Sequence, residues 1–154
     1  MNYHRLVFIS VAVLVMLSAN ALSQERGFGV GIIIGEPTGF SMKGWLNSKS
    51  AIDVGLAWSF VKESSFHVHA DYLMHSFNVF ETKEKIPLYY GIGGRIKTGK
   101  SQDARVGIRG VIGIGYMFKD APLDLFLEVA PVIDLTPATE LQINAGFGIR
   151  YFFE

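Results

Sequence analysis

The sequence predicts an all-β fold: an eight-stranded antiparallel up-and-down transmembrane β-barrel (residues 24–154) behind an N-terminal signal peptide (1–23). Three observations carry the prediction. Eight stretches alternate with period two between apolar residues and residues that are charged, polar or glycine, the pattern of strands with two unlike faces. Most of them run about 9–14 residues, enough to cross a bilayer at a tilt of about 45°, whereas strands of soluble domains average about five or six. Across all eight, no charge falls on the apolar face.

The leader reads MNYHRLVFISVAVLVMLSANALSQ, with basic Arg5, an apolar run from Leu6 to Leu17, and small residues at Ser18, Ala19, Ala21 and Ser23. That is the plan of a secretory signal cleaved after Ala21 or Ser23. Its apolar run is well short of the roughly 20 residues that a spanning helix needs. The chain has no cysteine, so it has neither a lipoprotein attachment thiol nor a disulfide framework. A net charge of zero without a charged block argues against nucleic acid as a partner. Charged residues make up 18% and glycines number 17, and no later segment is long enough for a spanning helix. For an exported chain this composition points to antiparallel β-structure.

The strands justify themselves in order. GFGVGIIIG (27–35) sets Phe28, Val30, Ile32 and Ile34 against glycines and ends at the turn EP. TGFSMKGWL (38–46) places Phe40 and Met42 on the apolar side and Lys43 opposite, before NSKS. AIDVGLAWSF (51–60) separates Asp53 from Trp58 and Phe60, before VKESS. FHVHADYLMH (66–75) gathers His67, His69, Asp71 and His75 away from Phe66 and Tyr72. The longest link, SFNVFETKEK, leads to IPLYYGIGGRIK (86–97), with Arg95 and Lys97 on its polar face. After TGKSQD, RVGIRGVIGIGYMF (105–118) adds Arg105 and Arg109 opposite Tyr116 and Phe118. KDAP introduces LDLFLEVAPVIDL (123–135), with Asp124, Glu128 and Asp134 on one side. TPATE introduces LQINAGFGIRYFF (141–153), where Leu141, Ile143, Ala145, Phe147, Ile149, Tyr151 and Phe153 oppose Arg150. The links are rich in turn formers, and their shortness makes consecutive strands antiparallel neighbours. Pro131, in mid-strand without an N–H to donate, predicts a bulge.

Which face meets water follows from the glycines. The charged face is crowded with them, at Gly29, Gly31, Gly55, Gly91, Gly93, Gly107, Gly113, Gly115, Gly146 and Gly148. A solvated surface gains nothing from glycine, which weakens strands, whereas a narrow lumen filled by long side chains requires it. With both termini in the periplasm, Phe28, Tyr72, Tyr116, Phe118, Tyr151 and Phe153 fall at one rim and Phe40, Trp58, Phe60 and Phe66 at the other. Two such girdles are expected where lipid meets water. A charge on the lipid face near the midplane costs about 2–4 kcal/mol, which explains why that face has none.

The even strand number, short turns, aromatic-rich last strand and signal peptide resemble the small OmpA-like and OmpX-like outer-membrane barrels. The segments GEPTGFSMKGWL, LYYGIGGRI and KDAPLDLFLEVAPVIDLTP are closer to a family of outer-membrane barrels from spirochaetes and related diderm bacteria that has no assigned activity. The resemblance spans the mature chain. It implies the outer membrane of a Gram-negative-type envelope, insertion by the barrel-assembly machinery, and contact with outer-membrane lipid or lipopolysaccharide. That machinery reads a terminal aromatic residue; here Phe153 is penultimate and Glu154 follows. The outward loops are shorter than in OmpA-like proteins, which weakens an adhesin role.

Eight strands enclose room for side chains and not an aqueous channel. The inward charges Lys43, Asp53, Asp71, Arg95, Lys97, Arg105, Arg109, Asp124, Glu128 and Arg150, with Asp134 the fifth acid against six bases, are close to balanced, which predicts a plugged, salt-bridged core. Hairpin pairing brings Arg95 and Lys97 beside Arg105 and Arg109, with Asp53, Asp71 and Glu128 as candidate counter-charges across the lumen. His67, His69 and Asp71 have a spacing compatible with metal ligation, but the reading adopted is hydrogen-bonded lumen residues with no metal and no cofactor. HSFN (75–78) holds the residue types of a lipid deacylase, yet alternation sends His75 and Ser76 to opposite faces. The expectation is therefore a monomeric, non-enzymatic envelope barrel with a structural or surface-interaction role. The alternatives are a lipid-modifying enzyme and a soluble lipocalin-like lipid-binding barrel, the latter requiring an apolar inside.

Overall fold

In the computed structural model, residues 27–59, 65–99 and 103–153 are described. The leader 1–23, Phe60 and Glu154 lie outside them. The strands are β1 (Phe28–Glu36), β2 (Thr38–Trp45), β3 (Ser50–Ser59), β4 (Ser65–Ser76), β5 (Leu88–Gly99), β6 (Arg105–Met117), β7 (Leu123–Thr136) and β8 (Glu140–Phe153). Each pairs antiparallel with its sequence neighbours, and β1 pairs with β8 to close the ring. Closure removes both sheet edges, so the ladder of backbone hydrogen bonds has no free end.

Alternation in sequence becomes alternation in exposure. Along β7 and β8 the side chains switch between buried and exposed almost residue by residue. The apolar set points outward: Ile143 is 68% exposed, Leu141 66% and Ile92 64%. Every charged residue of the eight strands is buried or half-buried instead, inside the ring. A soluble barrel with an apolar interior would show the reverse.

Two expectations need correction. β5 begins at Leu88, not Ile86. The preceding residues touch β6 singly, with the Lys85 and Pro87 carbonyls accepting from Met117 and Gly115 N–H at 2.9 Å each. Pro131 carries no bulge: it pairs with Ile143 in an unbroken β7–β8 register. The β6–β7 pairing lapses opposite it, at Gly110 and Val111, and resumes in the same register. The missing donor thus costs ladder pairing on one side without adding a residue. The register shift lies near the strand end instead: Val106 pairs with Thr136 and Gly107 with Asp134, leaving Leu135 extra.

The seam depends on one close approach. Gly31 sits opposite Arg150, and a Cβ there would collide with the Ile149 carbonyl oxygen and the Arg150 backbone. Gly44 has open space, with only Phe28 at 4.0 Å. Gly31→Ala is therefore expected to destabilise the barrel by about 1–3 kcal/mol, and Gly44→Ala by less than about 0.5 kcal/mol. Urea unfolding in detergent micelles, followed by tryptophan fluorescence, measures both.

Candidate functional site

The lumen is where the strands bring chemistry together. At the end of the barrel that carries the termini, Lys43 on β2 reaches His75 on β4, Nζ to Nε2 2.8 Å. The His75 Nδ1 lies 3.1 Å from the Lys49 carbonyl, so Nδ1–H donates there and Nε2 is left to accept from the ammonium. The same ammonium lies 4.7 Å from the Trp45 ring centroid and 5.3 Å from that of Tyr89, a cation–π arrangement.

Next, Arg150 on β8 crosses the lumen. Its Nη2 donates to Asp53 Oδ1 on β3 at 2.8 Å and its Nε to Ser41 Oγ at 2.8 Å. Asp124 lies 3.6 Å from its Nη1, and its guanidinium stands 3.7 Å over the Phe126 ring. Farther along, Arg109 on β6 contacts Asp71 on β4 (Nε to Oδ2 3.0 Å) and Glu128 on β7 (Nη2 to Oε1 3.3 Å). Tyr89 donates its hydroxyl to the other Glu128 oxygen at 3.0 Å. Its ring occupies space above Gly113, where a Cβ would strike it.

At the far mouth, Arg95 holds Asp134 in a fork, Nη2 to Oδ2 2.8 Å and Nε to Oδ1 3.0 Å, and also donates to Gln142 at 2.8 Å. Arg105 bridges Asp134 and Glu140, and Glu36 accepts from Ser59. Lys97 stands directly across the ladder from Arg105. The basic residues of β5 and β6 are therefore neighbours, and of the counter-charges expected for them Asp71 and Glu128 are in place while Asp53 is not. Asp71 and Glu128 serve Arg109, whereas Arg95 takes Asp134 and Asp53 belongs to Arg150. Strand parity already put Asp134 inside; only the stagger of the closed ring aligned it with Arg95.

A second component of the lumen went unread. Ile33, Leu73, Tyr89, Val111, Phe126 and Ala130 form a buried apolar cluster, and Trp45, Ala51 and Phe152 form another, with Phe77 and Met117 packed on it. These residues sit on the polar face by parity, and their apolar character hid them among the glycines. The described lumen thus holds charge pairs alternating with hydrocarbon.

On the outer surface, Phe40, Trp58 and Phe66 form an edge-to-face row at the far rim, with centroids 6.4 and 5.4 Å apart. At the rim of the termini, Tyr116 packs on Phe118 at 4.9 Å and Tyr151 on Phe153 at 5.1 Å; Phe28 and Tyr72 are exposed on the same outer face. Tyr90, on the same apolar face by strand parity, is exposed as well. His75 is buried and Ser76 exposed, so they do not form a base–nucleophile pair.

No protein-family model matches the chain, and no curated protein matches it. Among solved structures it is similar to the N-terminal β-barrel domain of Pseudomonas aeruginosa OprF, with a TM-score of 0.62 at 13% identity, covering 84% of this chain and 98% of that one. At this identity the likeness establishes the fold, a closed eight-stranded antiparallel barrel.

Arg109 and Arg150 are each 1% exposed, so removing either leaves buried carboxylates without the cation that they face. Arg150→Met is expected to cost about 3–5 kcal/mol. Lys119→Met, which breaks an exposed pair with Glu84 at 3.3 Å, is expected to cost under about 1 kcal/mol. Denaturant titration of the two variants in one detergent compares them.

Proposed function

We propose that the chain is a small outer-membrane barrel, exported by a signal peptide over residues 1–23, whose plugged, salt-bridged lumen gives it a structural or surface-interaction role in the cell envelope. One observation carries the reading: the outward face of the strands is apolar while every strand charge turns inward. Lipid is the solvent that this arrangement suits, because an apolar exterior of this extent in water would drive aggregation. The aromatic rows at the two rims support the same solvent. The likeness to the OprF barrel domain supports an envelope role of the same coarse kind. The partners on this reading are outer-membrane lipid or lipopolysaccharide and, during insertion, the barrel-assembly machinery; the barrel acts as a monomer and is not an enzyme.

The buried ion pairs and apolar clusters support a closed lumen. Two measurements test the proposal. Membrane fractionation is expected to recover the protein with the outer membrane, and unheated electrophoresis to show a compact, heat-modifiable band; a processed protein soluble without detergent would overturn it. In planar bilayers the purified barrel is expected to give no steady conductance steps, and regular steps would overturn the plug. On the outer face near mid-strand, Ile112→Arg is expected to cost about 2–4 kcal/mol of stability in lipid, read by unfolding in vesicles.

A further inference from the structure

The central lumen carries an imbalance of charge. Between the terminal end and the middle of the barrel lie four buried carboxylates, Asp53, Asp71, Asp124 and Glu128, and three buried cations, Lys43, Arg109 and Arg150. The far-mouth group is balanced, with Arg95, Lys97 and Arg105 against Asp134, Glu36 and Glu140. With all four carboxylates ionised and its histidines neutral, the enclosed middle is one positive charge short, a buried net charge that either a proton on a carboxylate or a bound cation would remove.

The shortage has a place. Asp53 and Asp71 stand directly opposite each other on β3 and β4, a like-charge cross-strand pair that is destabilising by itself. His69 lies two residues from Asp71 on the same face, its ring filling the space over Gly55. One ligand atom from each of Asp53, His69 and Asp71 falls within 4.8 Å of the others. The Asp71 Oδ1 and the His69 Nδ1 are buried without a hydrogen-bond partner, and Asp71 Oδ2 has the Arg109 ion pair alone. Arg109 sits beside Asp71 at 3.0 Å and Arg150 beside Asp53 at 2.8 Å, but these are the guanidiniums already counted, and the deficit is what remains after them.

Beside His69 is a cavity of about 10 Å³, bordered by Glu36, Arg109, Glu128 and Asn144, room for about one water. The Arg109 Nη1 and Asn144 Nδ2 on its border also lack partners.

We infer that Asp53, His69 and Asp71 form a binding site for one divalent transition-metal ion of the zinc class, with a solvent ligand in the adjoining cavity. One imidazole and two carboxylates are a donor set that suits such an ion and leaves a fourth, open position. A metal-bound hydroxide in the cavity, facing the free donors of Arg109 and Asn144, would bring the middle of the lumen to neutrality. His67, although on the same face, is not in the ligand group; its ring packs edge-to-face on His69 at 5.2 Å. The inference rests on lumen geometry and stands whichever solvent surrounds the barrel.

The test uses the full mature chain refolded in detergent, titrated with Zn²⁺ by calorimetry and with Co²⁺ by visible absorption. One ion per chain is expected, with His69→Gln weakening Zn²⁺ binding by about tenfold or more and His67→Gln changing it less than about twofold. No binding by the wild-type protein, equal loss in both variants, or unchanged affinity in a folded His69→Gln overturns the site. Should His69→Gln fail to fold, X-ray absorption of the wild-type zinc complex decides. A single imidazole with oxygen ligands at about 2.0–2.2 Å supports the site; two or more imidazoles overturn it.

Discussion

The pairing of β1 with β8 is the contact on which the rest of the molecule depends. An open sheet of eight strands would leave two rows of unpaired backbone groups and two unlike faces, neither enclosed. Closing it satisfies the ladder and creates an inside at the same moment. From then on each side chain has one of two environments, assigned by parity. The glycines of β1 make the closure possible, because at Gly31 the neighbouring strand comes too near for any side chain.

Once the ring is closed, the charges have nowhere else to go. Buried ion pairs are weak sources of stability, since desolvation offsets most of their attraction. Their consequence here is positional: the Arg150 fork on Asp53 and Ser41, and the Arg95 fork on Asp134, tie strands that do not adjoin. They act as internal struts across a barrel whose outer wall is uniform. The hydrocarbon between them, from Phe126 beneath Arg150 to the Leu73 and Val111 cluster, excludes water from the pairs and strengthens them.

The eight strand pairings, seam included, close the ring, yet the ion pairs inside are not distributed evenly. The far mouth is balanced and partly wet, with Arg105 and Glu140 both reaching solvent. The middle is buried and holds more carboxylates than cations, with Asp53 and Asp71 set opposite each other by the β3–β4 register. Positions that break a local rule inside an otherwise consistent fold are where function is to be sought, and here the like-charge pair lies beside His69, which borders a small cavity.

Strand number, strand parity and the face that each charge occupies were all determined by sequence alone, because a period of two is a local property and each strand declares it independently. His75 and Ser76 could be assigned to opposite faces without knowing any neighbour, and Pro131 could be recognised as a residue without a donor. Whether Pro131 would bulge was not local: it depended on β8 holding register beside it while β6 yielded. Likewise Arg150 and Asp53 are 97 residues apart in sequence, and no periodicity links them. Their meeting, the capture of Asp134 by Arg95 and the grouping of Asp53 with His69 were decided by the stagger of the closed ring, which sets the height of each inward residue and so which charges share a level.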